Sequence, residues 1–312
     1  MALIETLMLI FGLSLFEIAN SIDNAIINAH VLSSMSDKWQ KRFLFVGILT
    51  SVFLVRLIVP LLIVLLVVPN ISLGELFEAF IGNNQVAAQA IEMQKPLILI
   101  FGGMFLLLLY IHWLFMEKKD TLFFHEKLLR EEYAVWFFAF AAILLVTVLF
   151  FARQNPNLML AAAIGSATFF IVYGFKETAE REEEKLLKGR MSDISKFVYL
   201  EVLDATFSFD GVVGAFAFTT NLLYIAIGLG IGALVLRKLT IMGISRISKY
   251  KWLKNGAMTV IGFLGVFMIL ESFHIQLPTY LPTVVTVLAI GFSFYKSHKY
   301  LQSLTSELVH SS

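Results

Sequence analysis

Apolar runs of about 17 to 25 residues, each long enough to cross a ~30 Å hydrocarbon core as a helix, follow one another along nearly all of this 312-residue sequence. Hydrophobic residues make up 58% of the chain and charged residues 15%, with a mean hydropathy of +0.82. Soluble globular domains do not reach these values. The fold class expected is all-α, a polytopic membrane helix bundle with no separate soluble domain. Runs near 3–34, 43–69, 96–116, 133–152, 158–174, 197–218, 222–243, 257–273 and 279–296 predict nine helices. The first run has 32 residues and would extend roughly 48 Å if continuous, so it either projects from the membrane or breaks near its polar middle.

Lys and Arg concentrate in the first, third, fifth and seventh connections and in the tail, whereas the sixth and eighth have none. The positive-inside rule makes the rich connections cytoplasmic. A plasma or inner membrane protein with its N-terminus outside and its C-terminus cytoplasmic is expected. The net charge of +1 gives no reason to expect nucleic acid as a partner. Absence of cysteine excludes disulfides and thiolate metal sites. Met1 to Ser14 lacks the charged n-region and cleavage site of a secretory signal, and reads as the start of a retained helix. The fifth connection, with Lys176, Glu177, Glu180, Arg181, Glu182, Lys185 and Lys188, reads as a solvated helix extension.

The first run contains Glu17-x3-Ser21-x-Asp23 and the sixth contains Asp204-x3-Ser208-x-Asp210. The next run of each half carries Gly-x8-Arg, from Gly47 to Arg56 and from Gly228 to Arg237. The third carries Gly-x-Phe-x6-His, as Gly103, Phe105, His112 and Gly265, Phe267, His274. Three features in one order predict a duplicated three-helix unit, and the charge-derived topology inverts one copy against the other. Inverted repeats are characteristic of secondary transporters, with the substrate held at the midplane between the halves. The expected organisation is a first repeat over 1–116, linking helices and loops over 117–194, a second repeat over 195–274, and an additional helix and tail over 275–312.

An acid at a membrane helix centre costs about 2.5 to 3.5 kcal/mol on insertion scales; four of them, Glu17, Asp23, Asp204 and Asp210, imply a function. Glu17 and Asp23 lie about 240° apart on a regular helix, so aiming both at one point requires unwinding or a shared cavity. Candidate metal ligands are Glu17, Asn20, Ser21, Asp23 and Asn24 from one half, with Glu201, Asp204, Ser208 and Asp210 from the other. Such oxygen donors suit hard divalent cations, Mn²⁺, Mg²⁺ or Ca²⁺. With the cation gone, repulsion and desolvation invite protons onto the carboxylates, a physical route to cation/proton exchange. The metal would be a transported substrate, with no resident cofactor and no enzymatic reaction.

Arg237 reads as snorkelling to headgroups, while Arg56, deeper in its run, can either snorkel or pair with an acid. His112 and His274 read as interfacial, and His30 as a proton relay at the site's mouth. The thirty phenylalanines read as lipid-facing and helix-packing surface. Gly102-Gly103, Gly228-x-Gly230-x-Gly232 and Gly262-x2-Gly265 read as close helix packing. Oligomeric state is not encoded in any of these features.

At its two acidic motifs the chain resembles the TerC family of integral membrane proteins, named for tellurium resistance and including bacterial manganese exporters. The first motif, acid-x3-Ser-x-Asp-Asn, is met by Glu17, Ser21, Asp23 and Asn24. The second, Glu-x2-Asp-x2-Phe-Ser-x-Asp-Ser, is met by Glu201, Asp204, Phe207, Ser208 and Asp210, with Gly211 in place of the final Ser. The resemblance implies manganese export by a divergent branch. The alternatives are an exporter of amino acids or other small solutes, weakened by the excess of acids, and a nontransporting scaffold in a metal or tellurite stress complex. An intramembrane aspartyl protease would need a Gly-x-Gly-Asp setting, whereas Asp210 lies in Phe-Ser-Phe-Asp-Gly.

Overall fold

The computed structural model describes residues 3–47, 55–80, 89, 91–127, 134–188, 192–247 and 249–310. Every regular element among them is a helix: α1 (Leu3–Asn20), α2 (Ile22–Ser33), α3 (Asp37–Gly47), α4 (Arg56–Val67), α5 (Leu73–Phe80), α6 (Lys95–Met116), α7 (Phe124–Lys127), α8 (Trp136–Ala152), α9 (Pro156–Lys188), α10 (Asp193–Ala215), α11 (Leu222–Ile247), α12 (Leu253–Ser272) and α13 (Leu281–His310). Among the described residues, four segments are long and apolar enough to cross a membrane: α1, α6, residues 156–178 of α9, and α12. The apolar α4 and α8 are shorter. An all-helical membrane bundle follows.

The first apolar run breaks at Ser21. Its backbone leaves helical geometry at φ −100° and ψ 7°, although its N–H still donates to the Glu17 carbonyl and its own carbonyl accepts from Ala25 N–H. The helix is therefore interrupted there for one residue without unravelling. The second acidic motif lies on the unbroken α10, and the Gly- and Ala-rich run 158–174 lies on the unbroken α9.

The centre of the bundle is α6 against α12. Gly103 lies against Ile269, Gly265 against Leu107 and Gly262 against Tyr110, so the numbers rise along one helix as they fall along the other. The two helices are antiparallel. At Gly103 and Gly265 an added Cβ would come within 3.0 and 3.1 Å of the facing backbone nitrogens, tight enough that the helices would have to shift apart by a few tenths of an ångström. α9 packs on the other side of α6, where Gly165 lies against the Phe101 carbonyl.

α1 runs parallel to α11: Leu13 meets Gly228, Glu17 meets Gly232, and Ser14 Oγ donates to the Gly228 carbonyl. The glycine pairs identified as packing sites in sequence do pack, except Gly230, which has nothing within 4 Å of an added Cβ. Gly47 lies in a helix, but its surroundings are outside the described residues. α8 exposes Phe138, Ile143, Val146 and Phe151, an apolar face suited to lipid.

Local signals set several helix ends. α5 begins with a capping box, in which Ser72 Oγ accepts from Glu75 N–H and the Glu75 carboxylate accepts from Ser72 N–H. Lys119 closes the C-terminus of α6 by donating to the carbonyls of Trp113, Leu114 and Glu117.

Candidate functional site

Glu17, in the last turn of α1, is fully buried at 0% exposure. The small residues opposite make this possible, since Gly232 of α11 and Gly211 of α10 leave room where any Cβ would collide with the Glu17 side chain. Its Oε1 accepts from Ser21 Oγ at 3.0 Å and from Arg56 Nη2. Its Oε2 has no hydrogen-bond partner among the described residues and faces Gly211, where an added Cβ would lie 2.5 Å away. The serine of the TerC pattern would not fit at Gly211 without moving Glu17.

Arg56 enters at the start of α4, with 4% of its side chain exposed against 1% for Glu17. It also interacts electrostatically with Asp204 on α10. Arg237 on α11 does not snorkel. Its guanidinium lies 4.4 Å over the Phe43 ring, donates to the Phe43 carbonyl and interacts with Asp204 and Glu201. These half-buried acids of α10 thus face two arginines, one from each half of the chain. A buried charge is tolerated only when paired, and the pairing supplies the reason these arginines turn inward.

Asp210 follows about one and two-thirds turns after Asp204 on α10 and immediately precedes Gly211, so the two acidic motifs meet where Glu17 lies against Gly211. Asp210 is 6% exposed. Its Oδ2 accepts from the Lys176 ammonium on α9, and its Oδ1 has no hydrogen-bond partner among the described residues. Ser208 is buried beside it in sequence and Asn20 is half-buried; Asn20 Nδ2 lies 3.5 Å from where a Gly211 Cβ would stand. The side chains of Asp23, Asn24, His30 and Phe207 lie outside the described residues. Among the described residues, no three Asp, Glu, His or Cys side chains form a group able to hold a metal ion.

Lys176 is the participant that sequence reading missed, because it opens a charged stretch that reads as solvated. The available signal was its position directly after an apolar run. His112 is likewise buried instead of interfacial, with its ring 4.1 Å from Tyr173 and 5.1 Å from Phe137. The side chains of Glu180, Arg181, Glu182, Lys185 and Lys188 lie outside the described residues.

Residues 22–303 match the family described as "Protein of unknown function (DUF475)". The chain belongs to the DUF475 family. The DUF475 match spans Arg56, Lys176 and the whole second motif, while Glu17, Asn20 and Ser21 precede it. Searches of curated proteins and of solved structures returned no match.

Proposed function

We propose that this DUF475 protein is a membrane transporter that exports a divalent cation, Mn²⁺ first among the candidates, in exchange for protons. The observation that carries the reading is the meeting of the acidic motifs. Two buried carboxylates, Glu17 and Asp210, each keep one oxygen without a hydrogen bond among the described residues, and Glu17 lies against Gly211, the residue that follows Asp210. Buried carboxylate oxygens of that kind are normally satisfied, and a hard cation satisfies them. Asp23, Asn24, Asn20, Ser21, Ser208, Glu201 and Asp204 complete the proposed ligand set.

An inverted pair of units, residues 1–116 and 195–274, is supported by reciprocal contacts. The equivalent glycines Gly103 and Gly265 each lie against the residue four beyond the other, Ile269 and Leu107. A two-fold axis between antiparallel helices produces that exchange. The equivalent acid and arginine pairs also agree, with Glu17 bonded to Arg56 and Asp204 interacting with Arg237. Inverted units with a polar meeting point are the usual architecture for alternating access. The TerC resemblance adds manganese as the cargo and, with loop charge, a plasma or inner membrane carrying the N-terminus outside.

The test is cellular manganese content and manganese sensitivity with the wild type, Asp23→Ala and Asp210→Ala at matched expression. Lower manganese with the wild type alone is expected. Equal accumulation in all three would remove the exporter reading and favour a nontransporting scaffold.

A further inference from the structure

The buried carboxylates of Glu17 and Asp210 are neutralised in physically different ways. Glu17 is held by an arginine with 4% of its side chain exposed, and also by Ser21. Arginine is always charged, planar and poorly hydrated, which suits a permanent buried pair. Asp210 is held by a lysine. The Lys176 side chain is 12% exposed, on a flexible four-carbon stem with a strongly hydrated ammonium. It comes from α9, which belongs to neither acidic motif, and it lies where the apolar part of α9 gives way to the charged extension. From there the stem can carry the ammonium out to water while its methylenes stay on apolar surface.

An ammonium on Oδ2 occupies the position a metal ion would take on the same carboxylate. A divalent cation bound to Asp210 and an ammonium in hydrogen-bond contact with it would repel each other strongly in a water-poor site. We infer that Lys176 is a tethered competitor, a built-in cation that covers Asp210 when no metal is bound, must leave for metal to enter, and returns to displace it. This deepens the exporter reading and rests on it. Lys176 then lowers affinity for the ion and speeds its release. It also sets a threshold favouring divalent ions, since a monovalent ion replacing the ammonium gains no charge at Asp210.

The test uses the purified full-length protein titrated with Mn²⁺ alone, and the same protein in liposomes for Mn²⁺ flux. Lys176→Gln is expected to bind Mn²⁺ at least tenfold more tightly than wild type while its maximal flux falls. Lys176→Arg, which keeps a charge on Asp210 but holds it more firmly, is expected to bind more weakly. Unchanged or weaker binding by a folded Lys176→Gln, with wild type binding normally, would overturn the competitor role and leave the exporter reading intact. If wild type neither binds nor moves Mn²⁺, the manganese exporter reading itself falls and this inference with it.

Should Lys176→Gln fail to fold, the wild type provides its own measurement. Saturating Mn²⁺ is expected to increase modification of Lys176 by an amine-reactive reagent, read by peptide mass spectrometry. Equal or reduced modification would overturn the proposal.

Discussion

Removing one partner of the Glu17–Arg56 pair should be among the most damaging single changes in the bundle. Both side chains are almost fully enclosed, at 1% and 4% exposure, so water cannot replace the lost partner. An opposite charge at 4 Å in an effective dielectric near 20 contributes about 4 kcal/mol. Stripping one member from a buried pair costs about 3 to 5 kcal/mol because the other charge stays buried. Arg56→Met strands Glu17, whose remaining described donor is Ser21, and should lose about 3 to 5 kcal/mol. Glu17→Gln leaves Arg56 near Asp204 and should lie at the lower end of that range. The double variant strands neither charge of the pair and should recover much of the loss, giving a coupling of roughly 2 to 4 kcal/mol. Reversible unfolding in mixed micelles, followed by tryptophan fluorescence, reads all four proteins. Two single variants within about 1 kcal/mol of wild type, with additive effects, would refute the reasoning.

Gly165→Ala should destabilise by about 3 kcal/mol or more, because its Cβ would stand 2.2 Å from the Phe101 carbonyl oxygen, a backbone atom that cannot rotate away. Gly174→Ala on the same helix meets nothing within 4 Å and should gain up to about 1 kcal/mol from lost chain entropy; the same unfolding assay separates the two. Gly211→Ala should lose about 1 to 3 kcal/mol in the wild type and much less when introduced into a Glu17→Ala background, where the colliding carboxylate is gone. Burial, aided by Lys119 and opposed by Glu126, holds the His125 imidazole below its ordinary value of 6.5. The unfolded state therefore takes up that proton first, and the contribution of His125 to stability is full above about pH 6.5 and declines as pH falls towards the folded value. His125→Gln should flatten that acid limb of the unfolding midpoint, and an unchanged slope would assign the limb to another group.

Much of the fold was legible in the sequence because membrane helices announce themselves by length and hydropathy, and close helix contacts by small residues. The break at Ser21 followed from too long a run with polar residues at its middle, and Gly103 and Gly265 marked the central contact. Less legible was the direction taken by charges at helix ends. Arg237 and Lys176 both stand where a long side chain can reach either water or the interior. Only the neighbours decide, and for these two they are Phe43 with the α10 acids and Asp210. His112 was misjudged for the same reason, since the aromatic ring of Tyr173 that covers it comes from α9, sixty-one residues further along the chain.

The departure from helical geometry at Ser21 falls between Glu17 and Asp23, which a regular helix would set about 240° apart. In contrast, α10 carries Asp204 and Asp210 with no break. The unequal treatment of the two motifs could not be read from matched spacing alone. Nor could spacing show that Asp210 meets a lysine from α9, while Glu17 and its counterpart Asp204 each meet an arginine.

The most direct measurement is Mn²⁺ flux in liposomes containing the purified protein, followed by quenching of an enclosed metal-sensitive dye together with a pH probe. Wild type is expected to move Mn²⁺ with a coupled pH change, while Asp210→Asn and Asp23→Asn in folded form move none. Flux no faster than in protein-free liposomes, or equal flux in the wild type and both variants, would contradict a cation pathway through the meeting point of the two acidic motifs.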